Sequence, residues 1–362
     1  MLVGQSRNRG AYTKMRNIAY GVTALLTIVG AIVDLLGGPV LLVFALTALA
    51  LVGLAWILGQ ATESVGHYAG PQIGGVLNAT FGNAAELIIT IFALSAGLTT
   101  VVKASIIGSV IGNVLLVLGA SLLIGGIKNG TQNFSPTIAG ANSAMLACVA
   151  FGLALPTVFG LLDPAEGNPS LEYLSISVAV VLIVLYALYL LFYLRRREEA
   201  PGTGDEEQPP FGKVASYVVL LGATAAVAYV SEAFVGAIEP LVEEVGVSEL
   251  FIGVIVVPIV GNIAEHLVRV QLAYKNNMDF SMVVSLGSSL QVALLVTPIL
   301  VFLGPFLGHP LDLVFTPLEL VSLGAAVVVT AFIALDGESN WLEGAMLCGV
   351  YIIAALTFFF SP

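Results

Sequence analysis

The chain contains Gly82-Asn83-Ala84-Ala85-Glu86-Leu87 and, further on, Gly261-Asn262-Ile263-Ala264-Glu265-His266. Both stretches lie inside long apolar runs, and their first glycines are 179 positions apart (82 and 261). A second pair follows at a similar spacing of 173 positions (163 and 336), since Leu162-Asp163-Pro164 corresponds to Leu335-Asp336-Gly337. Internal similarity at a nearly fixed offset indicates two copies of one structural unit.

The composition is that of a membrane protein. Of the 362 residues, 58% are apolar and only 10% are charged, against about 25% charged residues in a soluble domain. Eleven apolar runs reach the roughly 17 to 25 residues that cross the hydrocarbon core of a bilayer. They lie at about 18–36, 40–59, 74–96, 99–126, 138–160, 171–194, 214–235, 247–275, 280–304, 314–335 and 341–360.

These runs predict an all-α polytopic membrane protein with eleven transmembrane helices. We expect an N-terminal basic segment and first helix (1–38), a five-helix repeat (39–194), a cytoplasmic acidic linker (195–213) and a second five-helix repeat (214–362). Because five is odd, the second repeat must lie upside down relative to the first. Inverted repeats are typical of secondary transporters, which bind their substrate at the bilayer midplane between the repeats.

Basic residues in short loops predict the orientation, because they stay on the cytoplasmic side. With the N-terminus inside, only Lys103 falls near the outer side. This orientation places the N-terminus and the linker in the cytoplasm and the C-terminus outside, and we expect the membrane to be a prokaryotic cell membrane. The residues on the inner side would be Arg7, Arg9, Lys14, Arg16, Lys128, Arg195, Arg196, Arg197, Lys213 and Lys275.

Charge and motifs exclude several classes of function. The chain has 12 Lys and Arg and 23 Asp and Glu, which gives a formal net charge of −11. This charge excludes an extended basic surface that binds nucleic-acid phosphates. The sequence has neither a His-Glu-x-x-His zinc pair nor a Gly-x-Ser-x-Gly elbow, so we do not expect an intramembrane hydrolase or another enzyme. Cys148 and Cys348 lie in apolar runs and indicate no disulfide framework.

Two carboxylates lie at the depth of the bilayer centre. At about 1.5 Å per helical residue, Glu86 is about 18 Å beyond Gly74, and Glu265 is about 15 Å before Lys275. An ionised side chain at this depth costs at least about 2.5 kcal/mol and is by default functional. Amide and hydroxyl side chains share the helix faces here and in the following runs: Asn83, Asn262, Ser109, Asn113, Ser288 and Gln291.

Such an all-oxygen shell suits a hard divalent cation, above all Ca²⁺, which takes six to eight oxygen ligands. Zinc is disfavoured because only one imidazole, His266, is nearby. His266 either handles protons or makes an ordinary hydrogen bond to a neighbouring helix. Alternatively, the carboxylates have a purely structural role and hold neighbouring helices together, with Arg269 neutralising Glu265. Arg269 is also close enough to Lys275 to extend to the cytoplasmic surface.

Further acidic residues lie outside the centre of the membrane. Glu63 and Glu232 fall near span ends at the two entrances, where solvated ends are the simpler interpretation. Asp205, Glu206 and Glu207 belong to the linker, which we interpret as a solvated tether, with a regulatory cation site as the alternative.

The repeated motifs, together with Lys275-Asn276-Asn277-Met278-Asp279 and residues 336–344, resemble a known family. They are similar to the α-repeats and C-terminal signature of Ca²⁺/H⁺ antiporters, the cation/proton exchanger branch of the Ca²⁺/cation antiporter superfamily. The resemblance covers nearly the whole chain. It implies that Glu86 and Glu265 bind the ion, that Asn83 and Asn262 assist, and that Ser109, Asn113, Ser288 and Gln291 lie close by.

The residues before the repeated glutamates bear on the counter-ion. Sodium/calcium exchangers, the sister branch, usually have a proline there, whereas this chain has Ala85 and Ala264, which favours protons over sodium. The chain departs from the family at Arg269 and Gln271, where small or apolar residues are usual.

We therefore predict a secondary transporter that exchanges Ca²⁺ for H⁺ by alternating access, with Glu86 and Glu265 binding either the cation or protons. His266 is a candidate for a third proton, and the sequence leaves the stoichiometry open.

The rival interpretations are a Na⁺/Ca²⁺ exchanger and a cation channel. We expect no cofactor beyond the transported ions. The expected partners are Ca²⁺ and other divalent cations, H⁺ and the lipid bilayer, and assembly into a homo-oligomer is left open.

Overall fold

The protein is almost entirely helical. The computed structural model describes residues 2–70, 74, 77, 80–162, 169–197 and 209–361, with side chains for all of these except 2–13 and 193–197. The helices are α1 (Leu2–Leu35), α2 (Val40–Ala69), α3 (Ala84–Ser95), α4 (Thr99–Asn129), α5 (Pro136–Leu162), α6 (Pro169–Arg197), α7 (Lys213–Gly236), α8 (Ile238–Val245), α9 (Glu249–Tyr274), α10 (Met278–Leu307), α11 (Pro317–Ile333) and α12 (Trp341–Phe360).

The helices support a multi-pass membrane protein. Within the described ranges, nine helical segments are long and apolar enough to cross a membrane. The shorter apolar helices α3 and α11 occupy the third and tenth predicted runs. Large apolar side chains are exposed on the outer surfaces of these helices, as expected where helices face lipid chains. The predicted fold class is confirmed.

One end of the bundle, which we call the strand face, carries the two short strands β1 (Gln132–Asn133) and β2 (Glu338–Ser339), paired antiparallel. Hydropathy did not predict this pairing because the strands are two residues long. The loop after α4 meets the first turn of α10 here, since Ser135 N donates to Asp279 Oδ1 at 2.7 Å. At the other end, Lys103 near the start of α4 pairs with Asp312 after α10, at 2.9 Å. Helices α4 and α10 therefore run in opposite directions.

Other pairs of helices are also antiparallel. Phe211 N, just before α7, donates to Ser64 Oγ near the end of α2 at 3.4 Å, so α7 starts at the face where α2 ends. Helix α9 starts beside the beginning of α4, because Gly253 faces the backbone of Val101. Since α3 ends just before α4 starts, α3 and α9 also run in opposite directions.

Helix α4 lies at the centre of the bundle. Its apolar side chains between Val101 and Leu122 are buried except for the partly buried Leu116 and Ala120, and it packs on α9, α10, α11 and α12. Wider π-helical turns interrupt α4 at Gly112–Val117, α9 at Ile252–Val256 and α10 at Val292–Val296. The turns in α4 and α10 end 179 positions apart (117 and 296), the offset of the repeated motifs. Such turns are frequent at functional sites.

Two segment boundaries differ from the prediction. Helix α1 begins at Leu2, so the basic N-terminal segment extends the first helix. Helix α6 continues to Arg197, three residues into the predicted linker 195–213, and Lys213 already begins α7. Asp205, Glu206 and Glu207 lie outside the described residues. The segment after α7, which lies between two of the predicted apolar runs, forms the short helix α8.

We predict that Gly108→Ala destabilises the protein. A Cβ at Gly108 would lie 2.1 Å from the carbonyl oxygen of Val254, where α4 crosses α9 backbone to backbone. Overpacking of this kind costs about 1 to 3 kcal/mol, to be measured by thermal unfolding in detergent. The control is Gly112→Ala on the same helix, because a Cβ there meets nothing within 4 Å. Equal losses in the two variants would contradict the predicted close crossing.

Candidate functional site

Glu86 lies at the start of a half-helix in the interior of the bundle. The chain turns at Gly82–Asn83, and α3 begins at Ala84, so Glu86 falls in the first helical turn. The amide dipoles at a helix N-terminus favour a negative charge. The side chain is 1% exposed. It accepts a hydrogen bond from Ser109 Oγ of α4 and one from Asn262 Nδ2 of α9 at 2.9 Å.

The asparagines of the two motifs present oxygen atoms that lack donors. Asn83 Nδ2 donates to Gln291 Oε1 of α10 at 2.8 Å, while Asn262 Nδ2 donates to Glu86. Both side chains are buried, and neither Asn83 Oδ1 nor Asn262 Oδ1 has a hydrogen-bond partner among the described residues. Buried polar atoms are normally paired. Two amide oxygens that lack donors beside a buried carboxylate fit a hard cation as the missing partner.

The glycines of the two motifs have different roles. Gly82 loosens the backbone, because the helix is interrupted there. Gly261, in contrast, lies within the continuous helical stretch Val257–Tyr274 of α9. A Cβ on Gly261 would lie 3.3 Å from Glu86 Cβ, so this glycine allows α9 to approach Glu86 closely. Gly261 does not interrupt the helix, and the irregular turn of α9 precedes Pro258.

Glu265 is paired with Arg269. Arg269 Nη2 lies 2.5 Å from Glu265 Oε2 and also donates to Ser288 Oγ of α10 at 2.6 Å. Arg269 Nη1 donates to Asn113 Oδ1 of α4. The arginine is 1% exposed, whereas the Glu265 side chain is 32% exposed. The expectation that Arg269 extends to the cytoplasmic surface is therefore wrong, because the guanidinium turns inward to these three oxygens.

The two carboxylates consequently differ in their electrostatic surroundings. Glu265 has a guanidinium within hydrogen-bond distance, whereas the hydrogen-bond donors to Glu86 are a hydroxyl and an amide. With both carboxylates ionised, Glu86, Glu265 and Arg269 together have a formal charge of −1. Arg269 balances the charge of Glu265, so the remaining negative charge is that of the more deeply buried Glu86. The two motif glutamates are therefore not electrostatically equivalent.

All four predicted neighbours of the carboxylates lie in the site. They are Ser109, Asn113, Ser288 and Gln291, each bonded to a motif residue or to Arg269. Among the described residues no group of three or more His, Cys, Asp and Glu side chains is placed to hold a metal ion. A cation in this site would therefore depend on amide and hydroxyl oxygens as well as on carboxylates.

The other predicted site residues lie elsewhere or lack contacts with the carboxylates. His266 is partly buried, and its ring makes no hydrogen bond within the described part of the chain. Glu63 and Glu232 are exposed, six and four residues before the last helical residues Ala69 and Gly236. Their positions near the ends of α2 and α7 agree with solvated ends.

Sequence reasoning missed a set of contacts at the strand face. Gln132 Nε2 donates to the carbonyl oxygen of Ala273 at 2.9 Å and to Asn276 Oδ1 at 2.8 Å. Lys128 Nζ donates to the carbonyl oxygen of Tyr274 and lies 3.5 Å from the centre of its ring. These bonds fasten the end of α4 to the end of α9. The polar run at 275–279 was the available signal, but it does not identify its partners.

The helices and the buried oxygen site define a polytopic membrane transporter. The chain matches the model of the sodium/calcium exchanger protein family over residues 39–195 and 215–360, and it belongs to that family. The resemblance drawn from the motifs is confirmed by this match together with the relatives described next.

Individual relatives cover most of the chain. It is 44% identical over 350 residues to the Ca²⁺/H⁺ antiporter ChaA of Bacillus subtilis, covering 94% of this chain and 97% of the relative. It is also 44% identical over 339 residues to a Ca²⁺/H⁺ antiporter of Synechocystis, covering 88% and 91%. The structure of native YfkE superposes with a TM-score of 0.83 at 41% identity, covering 95% of this chain and all of that one.

We predict that Glu265→Gln destabilises the protein more than Glu86→Gln. The first change leaves a buried guanidinium without its carboxylate, whereas the second removes a charge that has no basic partner in the described part of the chain. Breaking a buried ion pair costs about 3 kcal/mol or more; we expect the lower end because a glutamine oxygen still accepts a hydrogen bond. Thermal unfolding in detergent measures the difference in stability. The double variant Glu265→Gln/Arg269→Gln should recover most of the stability lost in Glu265→Gln, because it leaves no guanidinium without a carboxylate. Equal stabilities of the two single variants would contradict the pairing.

Proposed function

We propose that this protein is a secondary transporter that exchanges Ca²⁺ for H⁺ across a membrane by alternating access. The observation that carries the proposal is the buried Glu86 carboxylate beside the amide oxygens of Asn83 and Asn262, to which no described residue donates a hydrogen bond. This set supplies the hard oxygen ligands that Ca²⁺ prefers. The names of the relatives from Bacillus subtilis and Synechocystis support the same activity.

Protons are the proposed counter-ion. Ala85 and Ala264 precede the motif glutamates where the sodium/calcium exchangers have proline. A carboxylate can be neutralised either by a proton or by a cation, so one group can serve both ions in turn. The site requires no cofactor in this proposal, since both transported species are simple ions.

The coupling follows from the cost of a buried charge. An ionised Glu86 with neither ion bound would be a carboxylate without a counter-charge inside the membrane, which is expensive. Binding of a proton or of Ca²⁺ removes that cost. The rearrangement between inward-open and outward-open forms is therefore favourable only for the loaded carrier, and Ca²⁺ movement in one direction is tied to proton movement in the other.

Each neighbouring residue has a proposed role in this cycle. Asn83 and Asn262 contribute oxygens to the cation, and Glu86 and Glu265 supply its negative charges. Ser109 orients the Glu86 carboxylate, Gln291 orients the Asn83 amide, and Asn113 and Ser288 hold the Arg269 side chain. His266 adjoins Glu265 in the chain, where it could receive a further proton. The acidic linker residues Asp205, Glu206 and Glu207 remain a candidate regulatory cation site.

We further propose that residues 39–194 and 214–362 are the two inverted repeats. The antiparallel directions of α4 and α10, and the common offset of 179 residues in motifs and π-helical turns, support this division. The strand face would be cytoplasmic, because Lys128, Lys213 and Lys275 lie at helix ends there. The protein would then reside in a prokaryotic cell membrane, and assembly into a homo-oligomer is compatible with this placement.

The direct test is Ca²⁺ flux into proteoliposomes containing the purified protein, with a pH gradient acid inside and without sodium. We expect Ca²⁺ uptake that a protonophore abolishes. Glu86→Gln should reduce uptake to the level of protein-free liposomes, because it removes the carboxylate that both ions must neutralise. Glu86→Gln is preferable to Glu265→Gln here, since it leaves no buried guanidinium unpaired.

The matched control for this flux measurement is Glu243→Gln, an exposed carboxylate on α8 that should leave uptake unchanged. Uptake that requires a sodium gradient would instead assign the protein to Na⁺/Ca²⁺ exchange. Ca²⁺ entry that is equal with and without either gradient would identify a channel. Both outcomes would overturn the proposed exchange with protons.

The orientation predicts a pattern of chemical labelling in intact cells. After Cys148→Ser and Cys348→Ser, single cysteines are introduced by Glu244→Cys on α8 and Glu207→Cys in the linker. A membrane-impermeant maleimide added outside should label the first and not the second, because α8 lies at the face opposite the strands. The reverse pattern would show that the strand face is outside.

A further inference from the structure

Arg269 is a fully buried cation within the proposed ion site. It is 1% exposed and donates hydrogen bonds to three oxygens from three different helices. These are the oxygens of Glu265 in α9, Ser288 in α10 and Asn113 in α4. A positive charge bound by a carboxylate, a hydroxyl and an amide oxygen has the surroundings that a bound metal cation would have.

The arginine and a transported cation would therefore compete for the same ligands. Oxygens that bond a guanidinium have fewer lone pairs free for Ca²⁺, and a positive charge beside Glu265 cancels the attraction of that carboxylate for a second cation. In contrast, Glu86 and the free oxygens of Asn83 and Asn262 have no basic side chain among their described hydrogen-bond partners. The site is thus divided into one half whose oxygens bond the guanidinium and another half whose amide oxygens have no donor among the described residues.

We propose that the Arg269 guanidinium is a built-in counter-ion that holds Glu265 when no transported cation is bound, and that Ca²⁺ must displace it to use Glu265 as a ligand. This inference rests on the proposed Ca²⁺ transport. Arg269 is then a positioning residue that sets the affinity of the site. The apparent affinity for Ca²⁺ is reduced in proportion to the fraction of molecules in which the guanidinium has released Glu265, as for any competing state.

The hydrogen bonding of Arg269 favours an exchangeable contact over a purely structural tie. Arg269 Nε has no partner within the described residues, and neither has Asn113 Nδ2. A permanent buried ion pair is stable only when its remaining donors are also satisfied. Donors left without partners at the guanidinium are costly in a permanent contact and are acceptable in a contact that forms in one state of a cycle.

The experiment compares Ca²⁺ binding to wild type and to Arg269→Gln by calorimetry on the purified full chain, at one pH and without other divalent cations. We expect Ca²⁺ to bind at least about tenfold more tightly to the variant, a difference of about 1.4 kcal/mol. The control is Gln271→Ala on the same helix, an exposed departure from the family pattern, which should stay within about twofold of wild type.

Unchanged or weaker Ca²⁺ binding by Arg269→Gln would overturn the proposal, and a simultaneous loss of thermal stability would assign Arg269 to a structural tie. If Arg269→Gln does not fold, the same Ca²⁺-binding measurement on Arg269→Lys tests the proposal. An ammonium lacks the planar fork that reaches three oxygens together, so a rise in affinity of at least about threefold supports displacement and no rise contradicts it. Failure of the proposed function has a different signature, namely wild-type proteoliposomes without proton-driven Ca²⁺ uptake.

Discussion

A carboxylate at the depth of Glu86 has no lipid group to solvate it, so the protein must supply its hydrogen bonds. Much of the central architecture follows from this requirement. The break at Gly82–Asn83 places the first turn of α3 around the carboxylate, α4 contributes Ser109, and α9 contributes Asn262. Gly261 lets α9 come close enough for that last contact. The three helices that meet at Glu86, namely α3, α4 and α9, also surround the amide oxygens proposed to bind the transported cation.

The sequence alone predicted the membrane fold and identified residues that the structure brings together at the candidate site. Hydropathy succeeds because a membrane imposes a minimum length on each apolar helix, and each predicted run overlaps a described helix. The pairing of the two motifs succeeds because polar residues are costly in apolar runs, so Glu86 and Asn262 stand out. Their contact across 176 positions in sequence could be expected from the repeat, although its atoms could not.

Other features depend on partners that a sequence pattern does not identify. Arg269 could have paired with Glu265 or extended to the surface, and only the positions of Ser288 and Asn113 decide between these. The π-helical turns leave no mark in hydropathy, because they alter hydrogen bonding by one residue without changing the apolar character of the helix. The strands Gln132–Asn133 and Glu338–Ser339 are too short for an alternating pattern.

The two ends of the bundle are fastened by different kinds of bonds. At the strand face the fastening is made mainly of hydrogen bonds between neutral groups, through β1, β2 and Gln132. At the opposite face, Lys103 and Asp312 form a partly exposed ion pair. Dissolved salt screens exposed charges and hardly affects neutral hydrogen bonds. The ionic strength of the solution on each side of the membrane would therefore act unequally on the two ends, loosening the end with the ion pair while leaving the strand end fastened.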